Sequence, residues 1–401
     1  MANLARFAVT MGAAVLIAGC GASQLPIGAL SRSAAAPSSV AYNVVYSFKG
    51  RKDGAGPVAP LIDVNGTLYG TTSAGGGDGC ESSGGCGTVF SITPSGVETV
   101  LHAFRGSPAD GAKSTAGLVD VHGTLYGTTP GGGAQNSGTV FAITTSGAES
   151  VLHSFGGKGD GDTPQAELVL VKNLLYGTAS GGGAGYGMVF TITTKGKEGV
   201  LYSFQGPPDG QNPRARLLND HGKLYSTTYG GGAYGGPSSH KGTVFTITPS
   251  GTETVLYSFK LSHDGAHPAA PLISVKGILY GNTGSGGQDT HGTIFSITTG
   301  GTETVLHDFR KSIRDGLYPV GTLVDVNSTL YGMTLEGGTS GYGTIFSITT
   351  SGKETLLHSF TGKPGDGAYP QAGLVNVNGT LYGTTSSGGT SGNGTVFSIT
   401  P

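Results

Sequence analysis

Short runs of alternating hydrophobic and polar residues fill most of the chain, and the same runs return about every fifty residues. A Leu-Tyr pair recurs at the same place in each of seven units, and the successive tyrosines are 49 to 57 residues apart. Two phenylalanine positions accompany each pair, and together they hold fourteen of the fifteen phenylalanines. A buried phenylalanine contributes roughly 1.5–3 kcal/mol, so we expect these rings to form the core of the repeat. The markers are Tyr69, Tyr126, Tyr176, Tyr225, Tyr280, Tyr331 and Tyr382, with Phe90, Phe141, Phe190, Phe245, Phe295, Phe346 and Phe397, and Phe48, Phe104, Phe155, Phe204, Phe259, Phe309 and Phe360.

Each unit predicts four short strands rich in Val, Ile, Thr, Phe and Tyr, separated by Gly or Pro. His-Gly or Asn-Gly joins the first two strands, a pair typical of two-residue type I′ hairpins. TSG, PSG or TKG joins the last two, with glycine where a positive φ is needed. In the second unit the strands are GLVDV (117–121), TLYGTT (124–129), GTVFAIT (138–144) and AESVLHSF (148–155).

Seven units of four strands predict an all-β fold, a seven-bladed β-propeller over residues 42–401. The two ends are complementary. YNVVYSF (42–48) is a fourth strand without its first three, and GTVFSIT (394–400) is a third strand without its fourth. Pairing them would close the ring and remove open sheet edges. A linear β-solenoid is the alternative, but it would need capping repeats instead.

Composition narrows the function classes. The chain has 401 residues, of which 76 are Gly, and the glycines have no three-residue period, which excludes collagen. Charged residues make up 11%, and the net charge is −2. This balance gives no basic surface for nucleic acid, so no nucleic-acid partner is expected. We expect a monomeric domain.

The N-terminus predicts export. Residues 1–19 have one positive charge, Arg6, and then an apolar run too short to span a bilayer, as in a secretory signal. The run ends in Ile-Ala-Gly-Cys, which looks like a bacterial lipobox with Cys20 as the lipidated residue. Residues 20–41 would be a flexible tether. Because Gly21 rather than Asp follows the cysteine, the expected location is the outer membrane or cell surface. A plain signal peptide is the alternative.

The other two cysteines, Cys80 and Cys86, have five residues between them in GCESSGGCG. An exported protein meets an oxidising compartment, so this spacing predicts a disulfide that closes a loop. A metal-binding pair is the alternative, although no histidine or third cysteine lies nearby in the sequence.

The pattern LYGTT…GG…GTVFSIT…G.ETVLHSF resembles the bacterial GloVer tandem-repeat proteins, described as choice-of-anchor repeat proteins. The resemblance extends over about residues 42–401, and all seven units carry it. It implies an exported, surface-attached repeat protein. It implies no catalytic residues.

Several common sites are absent from the sequence. The glycine runs are not Walker loops, since no Gly-Lys-Ser/Thr follows them. Neither HExxH nor GxSxG occurs. We predict no cofactor. Asp-Gly recurs in every repeat, where aspartate suits a turn; calcium at these turns is the alternative. The aspartates are Asp53, Asp110, Asp160, Asp209, Asp264, Asp315 and Asp366.

Function is expected where the repeats differ. In a propeller, the loops from second to third strand and from outer strand to next blade share one face, which we call the top face. Glu167, Arg214 and Arg216 replace small or neutral residues at the start of two inner strands, at the mouth of the channel. Six tyrosines outside the repeat pattern fall in predicted top-face loops: Tyr186, Tyr229, Tyr234, Tyr318, Tyr342 and Tyr369. Four histidines of the same face are weak metal-ligand candidates: His240, His263, His267 and His291.

These departures favour a membrane-anchored binding module. Tyrosines offer an apolar ring with a polar tip for a glycan or a protein, so the expected partners are a polysaccharide or an envelope protein. One alternative is a carbohydrate-active hydrolase or lyase, with Glu167 and a top-face aspartate as acid and base. Another is a structural envelope component without a specific small ligand.

Overall fold

The computed structural model describes residues 40–77, 80, 84–156, 159–234, 241–312 and 315–401. The described residues form strands and turns without a helix, and seven antiparallel sheets make a seven-bladed β-propeller. This confirms the predicted fold. In blades 1 to 3 the inner, second, third and outer strands are, in order, Ile62–Val64, Thr67–Thr71, Thr88–Ile92 and Glu98–Ala103; Val119–Val121, Thr124–Thr129, Thr139–Thr144 and Glu149–Ser154; and Val169–Val171, Leu174–Ala179, Met188–Thr193 and Glu198–Ser203.

The remaining blades follow the same order. Blade 4 has a short additional strand, Gly210–Pro213, paired with the top of its second strand. Blades 4 to 7 comprise Leu218–Asp220, Lys223–Gly231, Thr243–Ile247 and Glu253–Ser258; Ile273–Val275, Ile278–Thr283, Thr293–Thr298 and Glu303–Asp308; Gly316–Val326, Thr329–Gly337, Thr344–Thr349 and Glu354–Ser359; and Val375–Val377, Thr380–Thr385, Thr395–Thr400 and Ala41–Ser47.

The ring closes as the chain ends predict. The first strand, Ala41–Ser47, pairs antiparallel with the last strand, Thr395–Thr400, and so becomes the outer strand of blade 7. The register places Ala41 opposite Thr400 and Ser47 opposite Thr395. This pairing covers the edge that the last strand would otherwise leave open.

The core lies between the blades. All fourteen repeat phenylalanines are at most 1% exposed. The phenylalanine that directly follows each outer strand meets the third-strand phenylalanine of the next blade edge to face. The seven pairs have ring centroids 5.1–5.5 Å apart. Such pairs contribute about 0.5–1.5 kcal/mol beyond area burial, so each blade is held by its neighbours.

The glycine runs of the top face are paired rather than free. The Asp-Gly loop and the glycine run form short antiparallel ladders. Gly111–Ala112 pairs with Gly131–Gly132 in blade 2, and Gly367–Ala368 pairs with Ser387–Gly388 in blade 7. In blade 6 the ladder joins the main sheet, since its second strand runs through to Gly337. The glycines allow the two backbones to approach closely.

Cys80 and Cys86 form a disulfide with their Cα atoms 5.3 Å apart, as the sequence predicts. The predicted signal, Cys20 and the tether to residue 39 lie outside the described residues. In the part of the chain that the structure describes, no helix is long and apolar enough to cross a bilayer.

Candidate functional site

The channel opens on the top face into a cavity of about 550 Å³ that every blade helps to line. Just before its inner strand, or within that strand in blade 6, each repeat directs two alternate residues at this cavity, on either side of an alanine or glycine. We call the resulting circles the upper and lower rings, and the space that they enclose the mouth cavity. The upper ring is Val58, Thr115, Gln165, Arg214, Ala269, Val320 and Gln371, and the lower ring is Pro60, Gly117, Glu167, Arg216, Pro271, Thr322 and Gly373.

The charges of the two rings come from blades 3 and 4 alone. Glu167 stands in the lower ring beside Arg216, and Arg214 stands above Arg216 in the upper ring. The other eleven ring positions are small, apolar or uncharged. Sevenfold repetition builds the frame of the mouth cavity, and two adjacent repeats give it a charged side.

The backbone that carries the arginines is held firmly. The Thr178 hydroxyl of blade 3 donates to the carbonyl oxygen of Ala215, between the two arginines, at 3.2 Å. Ser226 donates to the same carbonyl and to that of Arg216, both at 3.2 Å. The other six repeats have glycine at the position of Ser226. The sequence carries this signal as LYS in place of LYG, but Ser226 was not among the predicted site residues.

Glu167 and Arg216 form an ion pair in which Nε and Oε2 are 3.5 Å apart. The side chains are only 18% and 24% exposed, respectively. Burial raises the pKa of Glu167, and the charge of Arg216 offsets part of this rise. The Nε of Arg216 is itself buried and makes no hydrogen bond with the described residues. The two charged groups are therefore close, but the Nε–H of Arg216 still lacks a hydrogen-bond acceptor.

Arg214 is oriented by an aromatic stack at the rim. Its Cζ lies 4.3 Å from the ring centroid of Tyr229, and its Nε donates to Asn212 Oδ1 at 3.1 Å. The ring of His267 stacks on Tyr229 with centroids 4.7 Å apart. His267 in turn meets Ser285 Oγ at 2.7 Å. Because two groups already lie against the Tyr229 ring, its role here is to position Arg214.

The structure separates the other candidate tyrosines from the mouth cavity. Tyr186 and Tyr234 are 42% and 48% exposed, and Lys260 Nζ lies 5.2 Å from the Tyr234 ring centroid. Tyr342 and Tyr369 meet edge to face at 5.4 Å. Tyr318 belongs to the inner strand of blade 6 rather than to a loop, as Tyr229 belongs to the second strand of blade 4.

The candidate histidines do not share a site. His240 lies outside the described residues. His263 is exposed beside Ser262, His267 belongs to the rim stack, and His291 meets the edge of Tyr318 at 5.5 Å. Nothing in their described surroundings brings these side chains together as metal ligands.

The Asp-Gly aspartates point into the blade junctions instead of the mouth cavity. Each accepts a hydrogen bond from, or meets the Nε2 of, a Tyr or His in the preceding outer strand. The pairs are Tyr46–Asp53 (2.7 Å), His102–Asp110 (3.0 Å), His153–Asp160 (3.1 Å), Tyr202–Asp209 (3.0 Å), Tyr257–Asp264 (2.7 Å), His307–Asp315 (3.4 Å) and His358–Asp366 (3.2 Å).

A glutamate of the next outer strand completes most of these junctions. In three of them His, Asp and Glu place ligand atoms within 4.8 Å of one another: His102, Asp110 and Glu149; His153, Asp160 and Glu198; and His307, Asp315 and Glu354. The junctions with tyrosine have the same arrangement, and a phenol in that place serves hydrogen bonding equally well. We therefore interpret the whole set as structural contacts between blades.

Comparison with known families agrees with the repeat. The sequence profile of the Gloeobacter/Verrucomicrobia repeat matches residues 28–186, 171–325 and 236–401. No curated protein matches the chain. Among solved structures, a gluconolactonase from Xanthomonas campestris is 14% identical, with 90% of this chain and 89% of that chain covered and a TM-score of 0.40.

Two further solved structures are similar at the same level. A protein from Bacteroides uniformis is 13% identical over 78% of this chain and 86% of its own, with a TM-score of 0.49. A luciferin-regenerating enzyme is 14% identical over 90% and 96%, with a TM-score of 0.42. Similarity at this level says nothing of the chemistry at the mouth cavity.

Proposed function

The chain belongs to the Gloeobacter/Verrucomicrobia repeat family, and from that premise we propose that it is a binding module whose site is the mouth cavity on the top face. One observation carries the proposal. Of the fourteen ring positions that the repeats supply, only Glu167, Arg214 and Arg216 are charged, and they lie side by side. Closing the ring does not require partly buried charges at one side of the channel, and placing them there costs desolvation free energy.

The test compares the protein with a variant that carries uncharged residues of other blades. Arg214→Ala and Arg216→Gly introduce the residues found in blades 5 and 7. Polysaccharides, envelope proteins and small metabolites would be screened by the rise that they cause in the unfolding temperature of the full chain. We expect at least one compound to stabilise the native protein and not the variant. Identical hits for both proteins would exclude the mouth cavity as the site.

We also propose that the module is exported and held on the membrane through acyl chains on Cys20. The support is the apolar run that ends in the lipobox, since two or more buried acyl chains give stable anchoring. Metabolic labelling with palmitate should mark the native protein and not Cys20→Ser, which should leave the membrane fraction. Unchanged fractionation of Cys20→Ser would contradict the anchor.

A hydrolase or lyase receives less support. Most glycosidases need two carboxyl groups about 5–9.5 Å apart across the substrate. Among the described residues that line the mouth cavity, Glu167 is the only acid, and it is paired with Arg216. The aspartates expected to join it face the blade junctions.

A further inference from the structure

The walls of the mouth cavity differ sharply from one side to the other. Blades 3 and 4 supply the charges, whereas the wall from blade 5 round to blade 1 is mainly apolar. Its apolar ring members are Val58, Pro60, Ala269, Pro271 and Val320. Asn282, His267 and Ser285 also line this wall, and all three already make hydrogen bonds with the described chain. Of the two polar ring members on the wall, Gln371 already donates its amide to Ser386 at 3.1 Å. The other is Thr322.

The charged side has one positive charge in excess. Glu167 balances Arg216, and Arg214 has no carboxylate partner among the described residues. The terminal guanidinium nitrogens of both arginines make no hydrogen bond within the described chain, although Arg214 is already held in place by Tyr229 and Asn212. A guanidinium that is held in place while its terminal N–H groups remain free suits a carboxylate, which can accept two parallel N–H···O bonds.

We propose that the mouth cavity binds an organic carboxylate with an apolar body, its acid group on Arg214 and Arg216 and its body against the valines, prolines and alanine of blades 5, 6 and 1. This inference rests on the proposed function and specifies its ligand. The cavity of about 550 Å³ is within the usual range for small ligands. Burying apolar ligand surface there contributes roughly 25 cal/mol per Å².

A neutral sugar fits the same walls poorly. Its hydroxyl groups point outward around the whole ring, and each one buried without a partner costs about 1–3 kcal/mol. The apolar wall offers few donors or acceptors to meet them. Nor is the Tyr229 ring left for a sugar to stack on, because Arg214 and His267 already contact it. The chemistry of the walls therefore favours the apolar acid.

Titration calorimetry on the full chain tests the proposal with four probes. They are 4-phenylbutyrate, its alcohol 4-phenylbutan-1-ol, gluconate and maltose. We expect 4-phenylbutyrate to bind at least about tenfold more tightly than the other three, since each lacks either the charge or the apolar body. Equal or tighter binding of gluconate or maltose would overturn the proposal.

Variants separate the two halves of the site. Arg214→Ala should raise the Kd of 4-phenylbutyrate about tenfold or more. Val320→Asp, on the opposite wall, should do the same through charge repulsion and without touching an arginine. Arg310→Ala is the matched control, because Arg310 is an exposed arginine that pairs with Asp289 and does not line the cavity; its Kd should equal that of the native protein.

The outcomes distinguish this inference from the proposed function. If gluconate or maltose binds in an Arg214-dependent manner and 4-phenylbutyrate does not, the ligand class is wrong and the binding module remains. If 4-phenylbutyrate binds and both variants bind it as the native protein does, the location is wrong. If no probe binds and no screened compound depends on the arginines, both proposals fail. The unfolding temperature of each variant establishes that it has folded.

Discussion

Gly132 lies where two backbones cross on the top face, with φ at +80°. A Cβ at this position would overlap the carbonyl oxygen of Asp110, which is backbone and cannot move aside alone. Gly132→Ala should therefore lower the free energy of unfolding by about 2–4 kcal/mol, from left-handed strain together with the clash. Urea unfolding followed by circular dichroism would measure the loss.

Gly123 provides the control, because it has φ at +85° and nothing within 4 Å of an added Cβ. Gly123→Ala introduces the strain without the clash, so it should cost only about 1 kcal/mol. Equal losses for the two variants would mean that close approach of the strands does not explain the glycine run.

Single residues also show which structural features the sequence predicts and which it does not. The repeated phenylalanines could be assigned to the core because seven copies vary around one pattern. Glu167, Arg214 and Arg216 stood out for the same reason, as departures from it. Tyr229 could not be interpreted correctly in isolation, since its contacts with Arg214 and His267 depend on how the top-face segments of blades 4 and 5 are packed.

Among the elements, the outer strands carry an unusual set of half-buried glutamates. Burial raises the pKa of Glu98, Glu253, Glu303 and Glu354 to about 7, and a neighbouring aspartate of the junction adds to the rise. Glu98 and Glu303 each have one carboxyl oxygen that is buried without a hydrogen bond in the described chain. The protonated form suits such a place better than the charged form.

This arrangement predicts that stability falls as pH rises from about 4.5 to above 7. The folded pKa is above the usual 4.5, so in that window the folded protein holds more protons than the unfolded chain. The stabilisation is complete at the acid end and is lost as the carboxyl groups ionise. Each site should contribute at most about 1 kcal/mol, because solvent screens it in part. Urea unfolding at a series of pH values would show the slope.

Glu98→Gln with Glu303→Gln should make that slope shallower, since glutamine cannot ionise. Glu336 is exposed, so Glu336→Gln should leave the slope unchanged. The opposite trend is expected at low pH from Asp366. Burial raises its pKa, but hydrogen bonds with His358 and Thr361 outweigh this and hold it below the usual range. If Glu98→Gln and Glu303→Gln leave the slope of the free energy of unfolding against pH unchanged, the junction glutamates are already solvated in the folded protein.

At the scale of the whole molecule, one strand joins the two ends of the ring. In that strand Tyr42 takes the place that glutamate has in the other outer strands, and its ring stacks on His358 at 3.8 Å. The closure could be predicted because the missing strands at the two ends complement each other. The contact of Tyr42 with His358 at the closing junction could not be predicted, because it depends on which blades become neighbours when the ring closes.

Deleting residues 41–48 should open the ring while leaving the strands of the other six blades in the chain. The last strand would then present an unpaired edge, and Phe90 would lose Phe48, whose centroid lies 5.1 Å away. We expect a lower unfolding temperature and self-association, measured by calorimetry and light scattering. A synthetic peptide, AYNVVYSF, should restore the monomer and much of the stability, because the strand pairs through its own backbone. A scrambled peptide of equal composition should not. A deletion variant that stays monomeric and as stable as the native chain would show that the ring is held by its blade-to-blade cores alone.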